Sequence, residues 1–312
     1  MDGQVCSTGF CVLRPGPEVL TDWVFYGALS DDFVGQLTSK MRGATYPGVS
    51  DRDVLTSVLP IPPLAEQRRI VARIRECTER IDEARRLRQA SLAEAAALAQ
   101  AARFEAFGVS ARRAPLASLI ATGPDNGLYK HSKHYGTGTP ILRINNFGCG
   151  DVLRGGIVLK RVRLDPGEGE HFLLRSGDIV VNRVNGSLDV VGKACLIASL
   201  DEDTVFESNM MRFAPDARKA DPRYVLHFLA SPQCREQIRQ KARVIQQASI
   251  NQKDVCGLEI PVPGLAEQRR IADSLDVTVE CAARLLAELD DGQSELDPLR
   301  AAVLRKAFAG EL

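Results

Sequence analysis

At 312 residues and 45% apolar content the chain can bury two or three cores, and no run reaches the ~18 uninterrupted apolar residues of a membrane helix. Its start, MDGQVCSTGF, lacks a basic segment followed by an apolar run, and its eight cysteines form no CxxC or Cys/His cluster, which points to a cytoplasmic chain with reduced, mostly buried thiols. The formal charge of zero conceals a division. Residues 113 to 258 hold 20 Lys and Arg against 15 Asp and Glu, whereas residues 264 to 312 hold 6 against 10.

In chain order, residues 1 to 63 predict a strand at Thr8 to Leu13, a helix from Asp22 across Ser39, a turn at Tyr46, Pro47 and Gly48, and a short strand at Leu55 to Ile61. Residues 64 to 108 predict one long helix, free of Gly and Pro before Gly108. Ile70, Ile74, Cys77, Ile81 and Ala84, then Ala95, Leu98 and Ala102, fall on the 4,3 spacing of a coiled-coil seam that Arg88 and Ser91 interrupt. Such a helix would reach about 66 Å, the length of a spacer.

Residues 113 to 258 predict strands at Thr139 to Ile144, Gly156 to Leu159, Asp178 to Asn182, Lys193 to Ile197 and Met210 to Phe213, then one or two helices over the run Pro222 to Leu229 continuing through Gln233 to Ala242. Strands first and helices after give an α+β domain with a largely antiparallel or mixed sheet. Residues 264 to 312 return to a helical stripe through Ile271, Leu275, Ala282, Leu285, Leu289, Leu296, Leu299 and Val303, with Thr278 and Gly292 as weak points and Pro298 expected to kink or restart it. Burying the two stripes on each other in antiparallel fashion would set the globular segments at opposite ends of a rod.

The chain also repeats itself. LAEQRRI at Leu64 to Ile70 returns at Leu265 to Ile271, and the same offset of 201 relates Pro60 and Pro62 to Pro261 and Pro263, Asp53 and Val54 to Asp254 and Val255, Ser7 to Ser208, and Phe107 to Phe308. A gap-free register of that length is the mark of a duplicated domain. Residues 1 to 63 match only 202 to 264, so the opening reads as half a domain lacking the counterpart of residues 113 to 207.

Taken together, LPIPPLAEQRRIVARI at 59 to 74, IPVPGLAEQRRIADSL at 260 to 275, GTPILRINNF at 138 to 147, RSGDIVVNRVNGSLDVVGKACLI at 175 to 197 and RKAFAGEL at 305 to 312 resemble the specificity subunit of a type I restriction-modification system, here shortened at its N-terminus. The resemblance implies an α+β architecture in which α/β target recognition domains alternate with two long antiparallel coiled-coil helices. Its divisions would be the C-terminal half of a first recognition domain at 1 to 63, a conserved helix at 64 to 108, a complete recognition domain at 113 to 258 and a second conserved helix at 264 to 312. It further implies a non-catalytic chain that binds double-stranded DNA. Methyltransferase and restriction subunits would bring S-adenosylmethionine, ATP and magnesium, and a second specificity chain or fragment would complete the shortened front.

Three polar clusters are candidate DNA contacts. In GDIVVNRVNGSLDVVGK, Asn182, Arg183, Asn185, Ser187 and Lys193 combine the side chains that read guanine and adenine with groups for phosphates. The plain alternative is a type I′ hairpin turn at Asn185-Gly186, with Asp178 closing another turn and Ile179 and Val181 in the core. A second cluster sets Tyr129, Lys130 and Lys133 close to Arg143, Asn145 and Asn146, basic residues with an interleaved aromatic. His131 and His134 lie within it at a metal-ligand spacing without an evident third ligand, and read better as part of a solvated loop. The third is Gln247, Ser249, Asn251 and Lys253, with Gln246 beside it, or simply a polar loop. At the repeated helix start, Glu66, Gln67, Arg68 and Arg69 recur unchanged as Glu267, Gln268, Arg269 and Arg270, which favours a docking or packing role over a merely solvated face. No methyl-transfer, nuclease, nucleophile-triad or phosphate-loop motif is evident. A stand-alone DNA-modifying enzyme and a structural coiled-coil adaptor are the competing readings.

Overall fold

The computed structural model describes residues 6–7, 9–43, 47–108, 112–244, 246–291 and 293–312. Three short helices, α1 (Thr21–Ala28), α2 (Asp31–Thr38) and α3 (Asp51–Leu55), precede the long α4 (Leu64–Gly108). Strands β1 (Arg113–Pro115), β2 (Ile120–Asn126), β3 (Tyr135–Leu142), β4 (Asp151–Leu153), β5 (Lys160–Val162), β6 (Ile179–Asn182), β7 (Val184–Asn185), β8 (Ala194–Ile197), β9 (Val205–Phe206) and β10 (Met210–Pro215) follow. Helices α5 (Pro222–Leu229) and α6 (Pro232–Lys241), strands β11 (Arg243–Val244) and β12 (Ala248–Ser249), helix α7 (Gln252–Cys256), strand β13 (Glu259–Pro261) and helices α8 (Leu265–Asp291) and α9 (Gln293–Phe308) complete the chain. It falls into two compact units, residues 1–94 with 285–312, and residues 95–284. Among the described residues no helix is long and apolar enough to cross a membrane.

In the second unit a five-stranded sheet runs β2-β10-β6-β8-β4, antiparallel except for the β4–β8 pair. Smaller sheets β5-β3-β9, β11-β12-β7 and β1-β13 flank it. β6 is buried on both faces: Ile179 and Val181 join the cluster under α5 and α6, and Val180 joins a second cluster with Leu142, Phe206 and Met210. Local chemistry starts the helices. Asp221 accepts from the N–H groups of Arg223 and Tyr224 ahead of α5, Ser231 accepts from Cys234 ahead of α6, and each helix has proline in its first turn. Phe107, at the end of α4, is fully buried against Tyr224 and Phe228 with ring centroids 5.1 and 5.5 Å away. Phe107→Ala is expected to cost about 3–5 kcal/mol, read as a lower midpoint in urea denaturation.

In the first unit Trp23 packs with Ile70, Val71 and Ile74 of α4 and Leu304 and Ala307 of α9. Asp82 pairs with Arg300 at 3.1 Å, so α4 and α9 run antiparallel there. In the second unit Ala102, Ala106 and Phe107 share a cluster with Ala272 and Leu275 of α8. Ile70, Ile74, Ile81 and Ala95 of the predicted seam are buried, but Leu98 is exposed.

The two helix starts are held by the same bonds 201 residues apart. Gln67, fully buried, accepts from the Leu20 N–H at 2.9 Å and donates to the carbonyls of Glu18 and Pro62 at 3.0 and 2.7 Å. Gln268, equally buried, accepts from the Asp221 N–H at 3.1 Å and donates to the carbonyls of Lys219 and Pro263 at 3.0 and 2.9 Å. Trp23 donates to the Pro60 carbonyl as Tyr224 does to that of Pro261. Gln36 clamps the backbone of Val58 as Gln237 clamps that of Glu259. One corresponding pair is reversed in sign: Asp22 with Arg75 at 2.6 Å, and Arg223 with Asp276 at 2.8 Å.

Several sequence expectations are corrected. The helix predicted from Asp22 across Ser39 is two helices, because the Ser30 hydroxyl caps α2 instead of continuing the turn. Thr8 lies outside the described residues, and Gly9 to Leu13 form no strand; nor do residues 56–61, since Leu55 ends α3. Their counterparts β10 and β13 bond to β2, β6 and β1, and the first unit holds no strand among its described residues. Tyr46 also lies outside the described residues, while Arg42 and Gly48 form an antiparallel bridge on either side. Gly156 to Leu159 are a loop between β4 and β5, pinned where the Gly156 N–H meets Asp201 Oδ2 at 2.6 Å. The second helical stripe divides on either side of Gly292, which is not itself described, and Pro298 is accommodated inside α9.

Candidate nucleic-acid interface

Two of the polar clusters meet through a short antiparallel pairing in which Ala248 of β12 faces Asn185 of β7 and Ser249 faces Val184. The Ile250 N–H donates to the Arg183 carbonyl at 2.9 Å and closes the join. On the other edge of β12, Arg243 and Val244 of β11 make a ribbon whose connection carries exposed Gln246 and Gln247.

Asn185 and Gly186 do not form the type I′ turn, which needs positive φ at both central residues; neither residue has it. Instead Asn185 Oδ1 accepts from the Ser187 N–H at 3.0 Å, and Ser187 Oγ accepts from the Asp189 N–H at 3.3 Å. Asp178 does close a turn, accepting from the Arg175 N–H at 2.7 Å, and burial raises its pKa above the ordinary carboxylate value. Arg183 donates from Nη1 to the Ser208 carbonyl at 3.0 Å, and its N–H reaches the Asn209 carbonyl at 2.8 Å.

The remaining cluster is tied to this sheet by residues 207–209. The Ser208 N–H donates to the Leu128 carbonyl at 2.9 Å, directly before exposed Tyr129. Glu207, buried, accepts from Arg143 Nε at 3.1 Å and the Ile144 N–H at 3.0 Å, and the Arg143 guanidinium lies 5.8 Å from the Tyr135 ring centroid. Asn146 Oδ1 accepts from the Arg143 N–H at 2.8 Å, while Asn145 and Lys133 are exposed. Sequence reasoning assigned none of Glu207, Ser208 and Asn209 to a candidate DNA cluster, although Ser208 marks the repeat, because their role comes from pairing with residues distant in the chain.

Three of the residues singled out in the sequence are buried, and a fourth, Asn251, is committed to a helix cap. Asn182 is 1% exposed, donates to the Val190 carbonyl at 3.3 Å, and its Oδ1 finds no partner, so this side chain cannot reach a base. Asn251 caps α7 in a box with Asp254. Gln67 and Gln268 are the buried clamps already described. Lys130 is also committed: its side chain is 9% exposed and sits 2.6 Å from Glu168 and 3.4 Å from Asp165, and the Glu168 hydrogen bond is the first cause of its raised pKa. Lys193 and Ser249 are half-buried, and Ser187, Gln247 and Lys253 are exposed. At the helix starts Glu66 pairs with Arg69 at 2.7 Å and Glu267 with Arg270 at 2.6 Å, leaving Arg68 and Arg269 exposed beside them. Among the described residues no three His, Cys, Asp or Glu side chains converge on one point.

Residues 126–290 match the family model of the type I restriction modification DNA specificity domain. The chain is 26% identical to the type I restriction enzyme EcoKI specificity subunit of Escherichia coli (strain K12), over 98% of its own length and 69% of that protein. It is 27% identical, over the same shares, to the StySPI specificity subunit of Salmonella potsdam. Among solved structures its whole length aligns with 77% of a chain from a study of complex assembly and conformational transition of a type I system, at 29% identity and a TM-score of 0.78. It also aligns with 76% of the HsdS subunit from Thermoanaerobacter tengcongensis, at 30% identity and a TM-score of 0.61. With the family model covering β3 through most of α8, and these relatives matched along nearly the whole chain, this protein belongs to the type I restriction-modification DNA specificity family.

Proposed function

We propose that the chain is the DNA-reading, non-catalytic subunit of a type I restriction-modification complex, with its reading surface on the β11-β12-β7 sheet and the Tyr129 loop. The observation that carries this is the β7–β12 pairing, which puts two separate polar segments of a basic domain on one small sheet. The β11–β12 pair on this sheet is a two-stranded ribbon of the kind a major groove admits, and side chains with free amides or guanidinium groups there can read base edges. The groups assigned to DNA are Tyr129, Lys133, Arg143, Asn145, Asn146, Arg183, Asn185, Ser187, Lys193, Gln247, Ser249 and Lys253. Methyltransferase subunits dock on the exposed ends of the two repeated motifs, at Glu66, Arg68 and Arg69 and at Glu267, Arg269 and Arg270. S-adenosylmethionine, ATP and magnesium reside on the partner subunits.

In the assembled complex, Gln247→Ala is expected to lower discrimination between target and mismatched duplex by about 1–3 kcal/mol. Lys133→Ala and Lys253→Ala are expected to weaken all duplexes alike and to lower the salt slope by about 1 each. Binding isotherms at several salt concentrations separate the two effects, and unchanged isotherms for all three variants would move the surface elsewhere. Binding of S-adenosylmethionine by the isolated chain would instead support the reading as an enzyme.

A further inference from the structure

The ribbon of β11 and β12 has a counterpart in the first unit. Arg42 and Gly48 exchange both backbone bonds, at 3.0 and 2.9 Å, at the positions where Arg243 faces Ser249 in the second. Beyond each ribbon lies the same capped turn. Asp53 Oδ2 accepts from the Ser50 N–H at 3.0 Å and Asp254 Oδ2 from the Asn251 N–H at 2.8 Å. The other oxygen of each carboxylate faces the arginine, at 3.7 Å from Arg42 and 4.0 Å from Arg243. Ala248 and Ile250 are buried, so Ser249 between them and the arginine opposite it turn to the outer face of the sheet. The Arg243 side chain is 63% exposed and that of Arg42 80%. An ion pair so long and so exposed adds little to stability and leaves guanidinium donors turned to solvent.

The repeat separates two kinds of contact. Ahead of the repeated helix motif, and among the described residues, Arg42 with Arg243 is the one identical pair that is exposed in both copies. Other identical pairs there have work inside the fold: Ser30 and Ser231 cap helices, Gln36 and Gln237 clamp a backbone, and Asp53 and Asp254 close capping boxes. Around the arginine the copies have diverged, since Gln246, Gln247 and Ser249 answer to Thr45, Tyr46 and Gly48. A side chain that reads a base must change when the target changes, whereas the phosphate backbone is the same under every sequence. Charge is likewise what is kept at Lys253, which answers to Arg52, both exposed.

We propose, on the footing of the DNA reading above, that Arg243 contacts a backbone phosphate, a positioning residue that seats the ribbon without reading sequence. It is the cation of the β11 and β12 strands themselves. Asp254 keeps the guanidinium beside the ribbon at 4.0 Å, and a phosphate oxygen, able to accept shorter charge-assisted bonds, draws it out of that loose pair.

In the assembled complex, Arg243→Ala, Arg243→Lys and Gln247→Ala are titrated with target and mismatched duplexes at several salt concentrations. Arg243→Ala is expected to weaken both duplexes by the same factor and to lower the slope of log K against log salt by about 1. Arg243→Lys keeps the charge and is expected to restore the slope. The melting temperature of the chain should stay within about 2 °C of wild type in both Arg243 variants. A loss of discrimination in Arg243→Ala overturns the proposal by making the arginine a base reader. A wild-type slope in Arg243→Ala, beside a Gln247→Ala variant that does lose discrimination, overturns it while leaving the DNA reading intact. A large drop in melting temperature, or an Arg243→Lys variant that binds no better than Arg243→Ala, overturns it as well. Unchanged binding in all three variants sinks the DNA reading of this surface and the proposal together.

Discussion

Gln268→Leu is expected to destabilise the second unit by about 4 kcal/mol, more than most substitutions of a polar residue. Leucine fills nearly the same space but strands the Asp221 N–H and the carbonyls of Lys219 and Pro263, all three of which the amide satisfies from a fully buried position. Each unmatched buried group costs about 1–3 kcal/mol. Gln268→Glu tests the same point from the other side. A carboxylate still accepts from Asp221 but places negative oxygens against two carbonyls, so its deficit should shrink in mild acid as the carboxyl protonates and regains a donor. The corresponding changes at Gln67 should affect the first unit alone, a division that exchange measured peptide by peptide would resolve. Equal stability of wild type and Gln268→Leu would show that these carbonyls reach water and that the clamp is ornamental.

The second large effect is expected at Asp276. Arg103, 3% exposed, is only a donor; its Nε lies 3.5 Å from His227 Nδ1, so the imidazole carries its proton on Nε2 and donates it to Asp276 Oδ1 at 2.8 Å. Burial makes the guanidinium easier to deprotonate than an ordinary arginine, and removing the nearby carboxylate leaves that buried charge with less compensation. Asp276→Ala should therefore cost about 3 kcal/mol, the lower end of what a broken buried pair costs, because the carboxylate itself is partly exposed. Adding Arg103→Met should recover much of the loss, a non-additivity that urea denaturation of the single and double variants reads directly. Burial opposes ionisation of Asp276, but its bonds to His227 and Arg223 outweigh that and hold its pKa below the ordinary value. Its contribution is thus present above about pH 4 and is lost as pH falls through the folded-state value, so the acid side of the stability profile should be shallower in Asp276→Ala.

The parts of the fold that were legible in the sequence are those whose signal is local. The start of the helical run at Pro222 was legible because Asp221 and Pro222 declare a helix start, whereas its division into α5 and α6 was left open, and β6, β8 and β10 stood out as apolar runs between turn residues. β2 was invisible: IATGPDN holds both glycine and proline, its burial does not alternate, and its pairing with β10 is irregular. The strands expected at Thr8 to Leu13 and Leu55 to Ile61 had suitable residues, but Gly9 to Leu13 and residues 56–61 find no ladder partners among the described residues, and a strand exists only as one side of a ladder. The candidate site was legible as composition and not as geometry. An amide that satisfies a buried carbonyl, as in Asn182, Gln67 and Gln268, has the same letters as one that faces a groove. Nor does any spacing rule foretell that Lys130 would be engaged by carboxylates more than thirty residues away in sequence at Asp165 and Glu168.

The reversed ion pair gives the duplicated architecture an address. Because the glutamine clamps and the proline carbonyls are common to both helix starts, a half-domain in transit during folding, or one traded between copies of the chain, would find the same hydrogen bonds waiting at either berth. At the wrong one, Arg223 would meet Arg75 and Asp22 would meet Asp276. Repulsion between such partly exposed charges is modest and fades with salt, but it is the term on which two otherwise matching berths differ in sign. Reversing both members of one pair, Asp22→Arg with Arg75→Asp, would keep that berth internally matched while giving both the same address, and misdocked chains should then accumulate on refolding at low ionic strength.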